Sequence, residues 1–263
     1  MSDTEIVSQA DLDLLVEKID QAELRMEPFP HLVIKNFLPD GLYEQALGSW
    51  PDDQVFATTN NFRRQQVNLR ALVESLPDKI RPVWAAVLAL SEVVNRALYK
   101  KFANQIALKF VPLFGANWRD FARNYSTSFR QAHLAHYSGQ AGLGPHVDSV
   151  RLMVNSFLYV SENSAPEVDL GTVLYRSFGF MTPENNNKLP ASVTQRLLAP
   201  DTIVPYQANC MLSFVNTPYS FHGVQDFDIG ARKRRIILFS PLITASVEAI
   251  EADFKRRPLQ VLA

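Results

Sequence analysis

From about residue 120 onward the chain is cut into short apolar runs separated by turn residues, and this texture constrains the fold most. FRQAHLAHY, LMVNSFLYV, GTVLYRSF, TIVPY, CMLSFVN, HGVQDF and RRIILFSPL follow one another, with breaks such as SGQAGLG between them. Runs this short, rich in β-branched and aromatic residues and bounded by Gly, Pro, Asn and Ser, are strand signals. Helical patterns do not alternate with them, so βαβ units are excluded and a sandwich or barrel is expected. The polar stretch TPENNNKLPASVTQ, 182–195, reads as a surface loop inserted between two of these strands.

The first half has a different period. In ADLDLLVEKIDQAELRM, 10–26, Leu12, Leu15, Val16 and Ile19 recur at helical spacing. HLVIKNF, 31–37, reads as a strand, and Pro39-Asp40-Gly41 restarts the chain into a helix near 41–49. Residues 54–70 are polar and irregular. LPDKIRPVWAAVLALSEVVNRALYKKF, 76–102, is the longest helical pattern, with Pro near its start and cations near its end, as the helix dipole favours. A single domain over 1–263 is expected. Residues 1–119 would be mainly helical support, 120–245 the β core, and 246–263 a C-terminal tail or helix. The fold class is therefore an all-β core with flanking helices (α+β).

Bulk properties remove several functions. With 26 Lys and Arg against 27 Asp and Glu, the net charge is −1, so no global field draws nucleic acid or an anionic membrane. Cys210 is the sole cysteine, which excludes an internal disulfide and cysteine-based zinc or iron–sulfur sites. The longest apolar run, VWAAVLAL at 83–90, is far short of the ~20 residues of a membrane span. The N-terminus MSDTEIVSQADLDLL lacks the basic and then apolar pattern of a signal peptide. A reduced, cytoplasmic setting is expected.

Against this background GPHVDSV, 144–150, stands out. The chain has five histidines, and here His146 precedes Asp148 by two positions. On a strand, residues i and i+2 face the same way, so the pair can offer an imidazole and a carboxylate to one ion. A third ligand would come from another strand. His31, His133, His136 and His222 are the candidates, and His222 sits at a probable strand start. Two histidines and one carboxylate on one face of an ion leave three positions open, the facial arrangement of non-haem Fe(II) oxygenases. Twelve residues after His222, RRIILF carries Arg234 and Arg235 at its head, where a guanidinium could form a two-point pair with a dicarboxylate.

Five segments in order, PFPHLVIKNFLPDGLYEQAL, HYSGQAGLGPHVDSV, NSFLYVSE with DLGTVLYR, NCMLSFVNTPYSFHGV and RRIILFSPL, resemble the Fe(II)/2-oxoglutarate-dependent dioxygenases, in particular their prolyl-hydroxylase-like branch. The resemblance implies a double-stranded β-helix, the cupin-like jelly roll. It implies Fe(II) held by His146, Asp148 and His222, with 2-oxoglutarate and O2 as cosubstrates. Arg234 would hold the distal carboxylate of 2-oxoglutarate, Tyr159 would touch that carboxylate, and Tyr137 would face the cosubstrate. Arg232, on the same strand face as Arg234, and Arg235, on the other, are the alternatives. The implied reaction is hydroxylation; halogenation is disfavoured because Asp148 fills the position a halide would need.

The expected substrate is a small molecule such as an amino acid or a natural-product intermediate, with a prolyl-type protein side chain as the alternative. A cupin-like module that binds a metal or a sugar without oxygen chemistry is a further alternative, but it leaves the arginine strand unexplained. His31, His133 and His136 read as structural, and the loop 182–195 as an influence on substrate choice.

Overall fold

The structure is a computed structural model, and it describes residues 6–58, 64–182 and 189–255. Helix α1 (Gln9–Gln21) starts at Ser8, whose hydroxyl accepts from the Asp11 amide while the Asp11 carboxylate accepts from the Ser8 amide. This reciprocal capping satisfies two otherwise orphaned donors. Strand β1 (His31–Ile34), helix α2 (Asp40–Gly48), strands β2 (Ala57–Thr58) and β3 (Arg64–Asn68), and helices α3 (Leu69–Val73) and α4 (Arg81–Lys101) follow. Next come α5 (Ala107–Phe114) and α6 (Trp118–Asn124). Among the described residues no helix is long and apolar enough to cross a membrane.

The β core comprises β4 (Thr127–Ser128), β5 (Ala132–His146), β6 (Val154–Val160), β7 (Glu167–Ser177), β8 (Leu198–Tyr206), β9 (Cys210–Val215), β10 (His222–Phe239) and β11 (Leu242–Ile243). Helix α7 (Ala191–Leu197) precedes β8, and α8 (Val247–Lys255) ends the described chain. The major sheet runs β1-β9-β6-β10-β5-β3-β2, all antiparallel. Strand β10 starts elsewhere. His222 and Gly223 pair with Leu174 and Val173 of β7, which pairs on with β8. Register shifts along β10 and β5 then carry both strands from the minor sheet into the major one. Bulges bend strands in this way, and the result is a curled jelly roll, as the family resemblance implied.

Two apolar layers follow from the alternation of side chains. Leu134, Leu158, Ile237 and Phe239 face outward and pack with Leu15, Trp84, Val87 and Leu98 of the helices. Ala135, Tyr137, Tyr159, Ile236 and Leu238 face inward across the barrel toward Leu174, Tyr206 and Phe214. The strand RRIILF is therefore apolar on both sides, since one face lines the barrel and the other seats the helices. A third cluster joins α5, α6 and α8 through Phe110, Phe114 and Ile250 to Val150 and Met153, just past His146.

Two stretches differ from their sequence reading. Residues 64–68, read as irregular, form β3, which pairs with β5 and leaves every residue half-buried. RQQVN contains one apolar residue, so period-2 alternation could not announce it. The expected loop 182–195 is helical from Ala191, after Pro190; residues 183–188, with Asn185, Asn186 and Asn187, lie outside the described residues.

Gly223 fixes the approach of β10 to β5. A Cβ there would collide with the Leu143 carbonyl oxygen and crowd the Gly144 backbone. Because Gly223 adjoins His222, Gly223→Ala must push the strands apart beside the histidine pair. We expect a loss of about 1–3 kcal/mol, as for overpacking, together with weakened divalent-metal binding, read by denaturant titration and metal titration. Unchanged values in both would show that the strands can part freely.

Candidate metal centre

His146 and His222 end and begin their strands directly opposite one another in the β5–β10 register. Their rings are 4.3 Å apart. Strand β5 stops at His146, so Asp148 is presented from the segment just after it, not from the strand itself. Val147 between them turns into a small cluster with Leu198 and Phe221, which keeps His146 and Asp148 on the same side. His146 Nε2 lies 3.6 Å from one Asp148 oxygen and His222 Nε2 lies 3.4 Å from the other. One donor atom from each of the three falls within 4.8 Å of the others. Two atoms each about 2.1 Å from one ion and at right angles are about 3 Å apart, so a small contraction around a cation completes a facial set.

The surrounding groups fix the donors. His146 Nδ1 is 2.9 Å from the Gly144 carbonyl and His222 Nδ1 is 3.1 Å from the Ser220 carbonyl. A carbonyl only accepts, so each Nδ1 carries the proton and each Nε2 lone pair faces the cluster. Burial, and next the neighbouring His222, lowers the His146 pKa, which favours the neutral imidazole a metal requires. Burial alone would raise the Asp148 pKa, but His222 and His146 beside it outweigh burial and hold the carboxyl well below its usual range. Asn155 donates to the Asp148 carboxylate at 2.9 Å. The Asn216 amide donates to the backbone carbonyls of Ser149 and Leu152, at 2.8 and 3.1 Å, and pins the segment that carries Asp148.

A narrow cavity runs from His146 and His222 past Phe157 to Arg234. Arg234 stands opposite Tyr137 in the register and points into the barrel, only 1% exposed. Its Nε donates to the Leu170 carbonyl at 2.6 Å and its Nη2 to the Thr172 hydroxyl at 3.0 Å. The guanidinium lies 5.2, 5.5 and 5.6 Å from the rings of Tyr159, Tyr137 and Tyr206. Tyr159 donates to Thr172 at 2.7 Å, and burial pushes its phenol up to about 12 despite Arg234 nearby, so it stays a neutral donor. No described carboxylate pairs with Arg234. Arg235 faces the other way, toward Trp50 and Glu162, and Arg232 is exposed and paired with Glu167 at 2.6 Å. Of the six residues singled out in the sequence, His146, His222, Tyr137 and Arg234 line this cavity, Tyr159 adjoins it through Thr172, and Asp148 completes the cluster at its other side.

The remaining histidines do not join the cluster. His136 Nε2 meets Gln65 at 2.7 Å on the outer sheet face, His133 Nε2 lies 3.3 Å from the Asn68 amide, and His31 Nδ1 lies 2.9 Å from the Phe29 carbonyl. A surface groove of about 610 Å³ between Glu162, Glu167, Arg232 and Lys233 contains no member of the cluster. Its charges neutralise one another through Arg232–Glu167 and Arg235–Glu162, with Lys233 paired to Asp53.

Sequence reasoning missed Asn155, Thr172 and Asn216. The signal was present for two of them, since Asn155 interrupts the apolar run LMVNSFLYV and Asn216 ends the run CMLSFVN. Such buried amides need partners, and here the partners belong to the cluster. Asn155→Leu should weaken divalent-metal binding about 10–100-fold by freeing the Asp148 carboxylate; calorimetric metal titration checks it, and an unchanged affinity would assign Asn155 to packing alone.

Fold and cluster together define a jelly-roll protein with a two-histidine, one-carboxylate facial set. The solved structures it is similar to include a prolyl 4-hydroxylase from Pseudomonas putida, at 15% identity over 89% of this chain and 100% of that one, with a TM-score of 0.51. Another from Phytophthora capsici shows 17% identity over 90% of this chain and 67% of that one, TM-score 0.53. A Trichoplax adhaerens prolyl hydroxylase, in complex with a hypoxia inducible factor oxygen degradation domain peptide fragment, shows 13% identity over 93% and 94%, TM-score 0.51. This chain has the fold of these prolyl hydroxylases. No protein-family model and no curated protein matches its sequence.

Proposed function

We propose that the protein is an Fe(II)- and 2-oxoglutarate-dependent dioxygenase that hydroxylates a small molecule. The observation that carries this reading is the buried Arg234, without a carboxylate partner among the described residues, at the far end of the cavity that opens on His146 and His222. An isolated buried cation is costly. A dicarboxylate spanning from the cluster to Arg234 relieves that cost and explains the placement. The donor set also fits iron: nitrogen and carboxylate oxygen, no thiolate, with open positions.

In this reading His146, Asp148 and His222 hold the ion, and Asn155 keeps the carboxylate oriented. Arg234, Thr172 and Tyr159 receive the distal carboxylate of 2-oxoglutarate, and Tyr137 lines the path. Leu143, Phe157, Val224, Ile236 and Leu238 keep water from the cavity wall. Iron, when bound, supplies the oxygen activation that turns 2-oxoglutarate and O2 into succinate and CO2 and places the second oxygen atom on substrate carbon. A peptidyl prolyl-type hydroxylation is the second reading, favoured by the peptide fragment in complex with the Trichoplax prolyl hydroxylase.

Adding Fe(II) and then 2-oxoglutarate to the protein under argon should produce the weak visible charge-transfer band of an iron–oxo-acid chelate. A folded protein that binds iron yet gives no band with 2-oxoglutarate would exclude the oxygenase in favour of a metal-binding cupin-like module. Succinate release across amino acids, peptides and cell extract then identifies the substrate.

A further inference from the structure

The cluster is approached from a second side. Lys109 lies in α5, in the apolar run IALKFVPLF, and is 2% exposed. Its ammonium makes one hydrogen bond, to the Asn216 carbonyl at 3.1 Å, and no described carboxylate pairs with it. Burial, with no charge of either sign contributing, lowers its pKa to about 7. Lys109 lines a small cavity together with Asp148, Thr182, Asn216 and Thr217. The cavity that ends at Arg234 reaches the cluster past the two histidines; this one reaches it past the aspartate.

A buried lysine without a counter-charge destabilises a fold, and a methionine would fill the same space without that cost. A purely structural tie between α5 and the turn after β9 needs a hydrogen-bond donor, not a charge. At about 10 Å³ the cavity has room for at most one water-sized group, which suits a single carboxylate oxygen and not a bulkier phosphate. We propose that Lys109 is a specificity-determining residue that receives a carboxylate of the substrate on the aspartate side of the cluster, so that the substrate is a small carboxylic acid. This rests on the oxygenase reading, which supplies the reacting position beside Asp148.

The test uses full-length protein loaded with Fe(II) and saturating 2-oxoglutarate under argon. The probes are the common L-amino acids and the primary amides of the same compounds, with binding read by thermal shift. Appearance of the visible band reports the oxygenase reading separately in the same samples. The wild type should bind one or more acids at least about tenfold more tightly than the matching amides, as expected for a charge-assisted contact. Lys109→Gln, which keeps a donor for Asn216 but no charge, should erase that preference, and so should Lys109→Met. Lys109→Met should also raise the melting temperature, by roughly 2–4 °C for each kcal/mol of buried-charge cost removed. The proposal is overturned if no acid outbinds its amide, or if the preference survives in both variants. It is also overturned if Lys109→Met melts lower while Lys109→Gln behaves as wild type, the signature of a structural tie. Weakened 2-oxoglutarate binding in Lys109→Gln would overturn it too, by assigning the lysine to the cosubstrate.

Discussion

His222→Ala should reduce Fe(II) binding by at least about 10²-fold and stop 2-oxoglutarate decarboxylation, while far-UV circular dichroism stays that of the wild type. Loss of an outer partner of a ligand already costs about 10–100-fold, and His222 stands closer than that. Its Nε2 is one of three donors, with none in reserve: among the described residues the cluster contains only His146, Asp148 and His222. The candidates that could have replaced it are engaged elsewhere, His136 with Gln65 and His133 beside Asn68. The fold should survive because the β5–β10 pairing is anchored by an unbroken register from Lys233–Ser138 to Phe239–Ala132, away from His222. The lost ring packs against Phe157 and Phe214, so some stability is lost with it. Asp148→Asn is the companion variant, since it preserves shape and removes charge, and it should also abolish turnover. Iron affinity within tenfold of wild type in His222→Ala would show that the ion is held elsewhere.

The parts of this site legible in the sequence were those set by strand periodicity and chain order. The His-x-Asp spacing, the distal histidine at a strand start and the arginine-headed apolar strand each carry local signals; in the structure His146, Asp148 and His222 form one cluster, and His146, His222 and Arg234 line one cavity. The parts that were not legible depend on which side of a strand is inside. Ile236 and Ile237 are both apolar and both buried, so hydrophobicity could not say whether Arg234 or Arg235 enters the barrel. The helices α1 and α4 packed outside the sheet are what make the outer face apolar as well. Strand β3 escaped notice for the opposite reason: it is a polar strand, half-buried throughout, tied to β5 by its backbone and by polar side chains such as Gln65 and Asn68. Lys109 is a lone charge in the apolar run IALKFVPLF, which the sequence pattern alone left unread, and its meaning needed the turn after β9, 107 positions further on, to come beside it.

The strand parity seen in the structure leads to the last expected result, a contrast between neighbouring arginines. Arg234→Ala should raise the 2-oxoglutarate concentration needed for half-saturation by on the order of 10²-fold or more, with Fe(II) binding in the absence of 2-oxoglutarate nearly normal. Removing one member of a buried, hydrogen-bonded charge pair costs several kcal/mol, about 3–5 in well-packed sites, and Arg234 sits behind Leu170 and Thr172 at 1% exposure. It is also separate from the donors that hold the ion, so metal affinity has no direct reason to fall. Arg235→Ala removes a guanidinium that faces Trp50 and, at 3.5 Å, the exposed Glu162 on the outer side. Exposed pairs of that kind contribute about 0–1 kcal/mol, so its effect on 2-oxoglutarate should stay within a few-fold and appear instead as a small change in melting temperature. Arg234→Lys separates charge from shape: a lysine keeps the positive charge but loses the two-point contact and the hold on both Leu170 and Thr172, and should fall between wild type and alanine. Titrating 2-oxoglutarate against the visible chelate band measures all three variants. A large effect from Arg235→Ala with a small one from Arg234→Ala would mean that the cosubstrate binds outside the barrel, and the cavity between the histidines and Arg234 would then need another occupant.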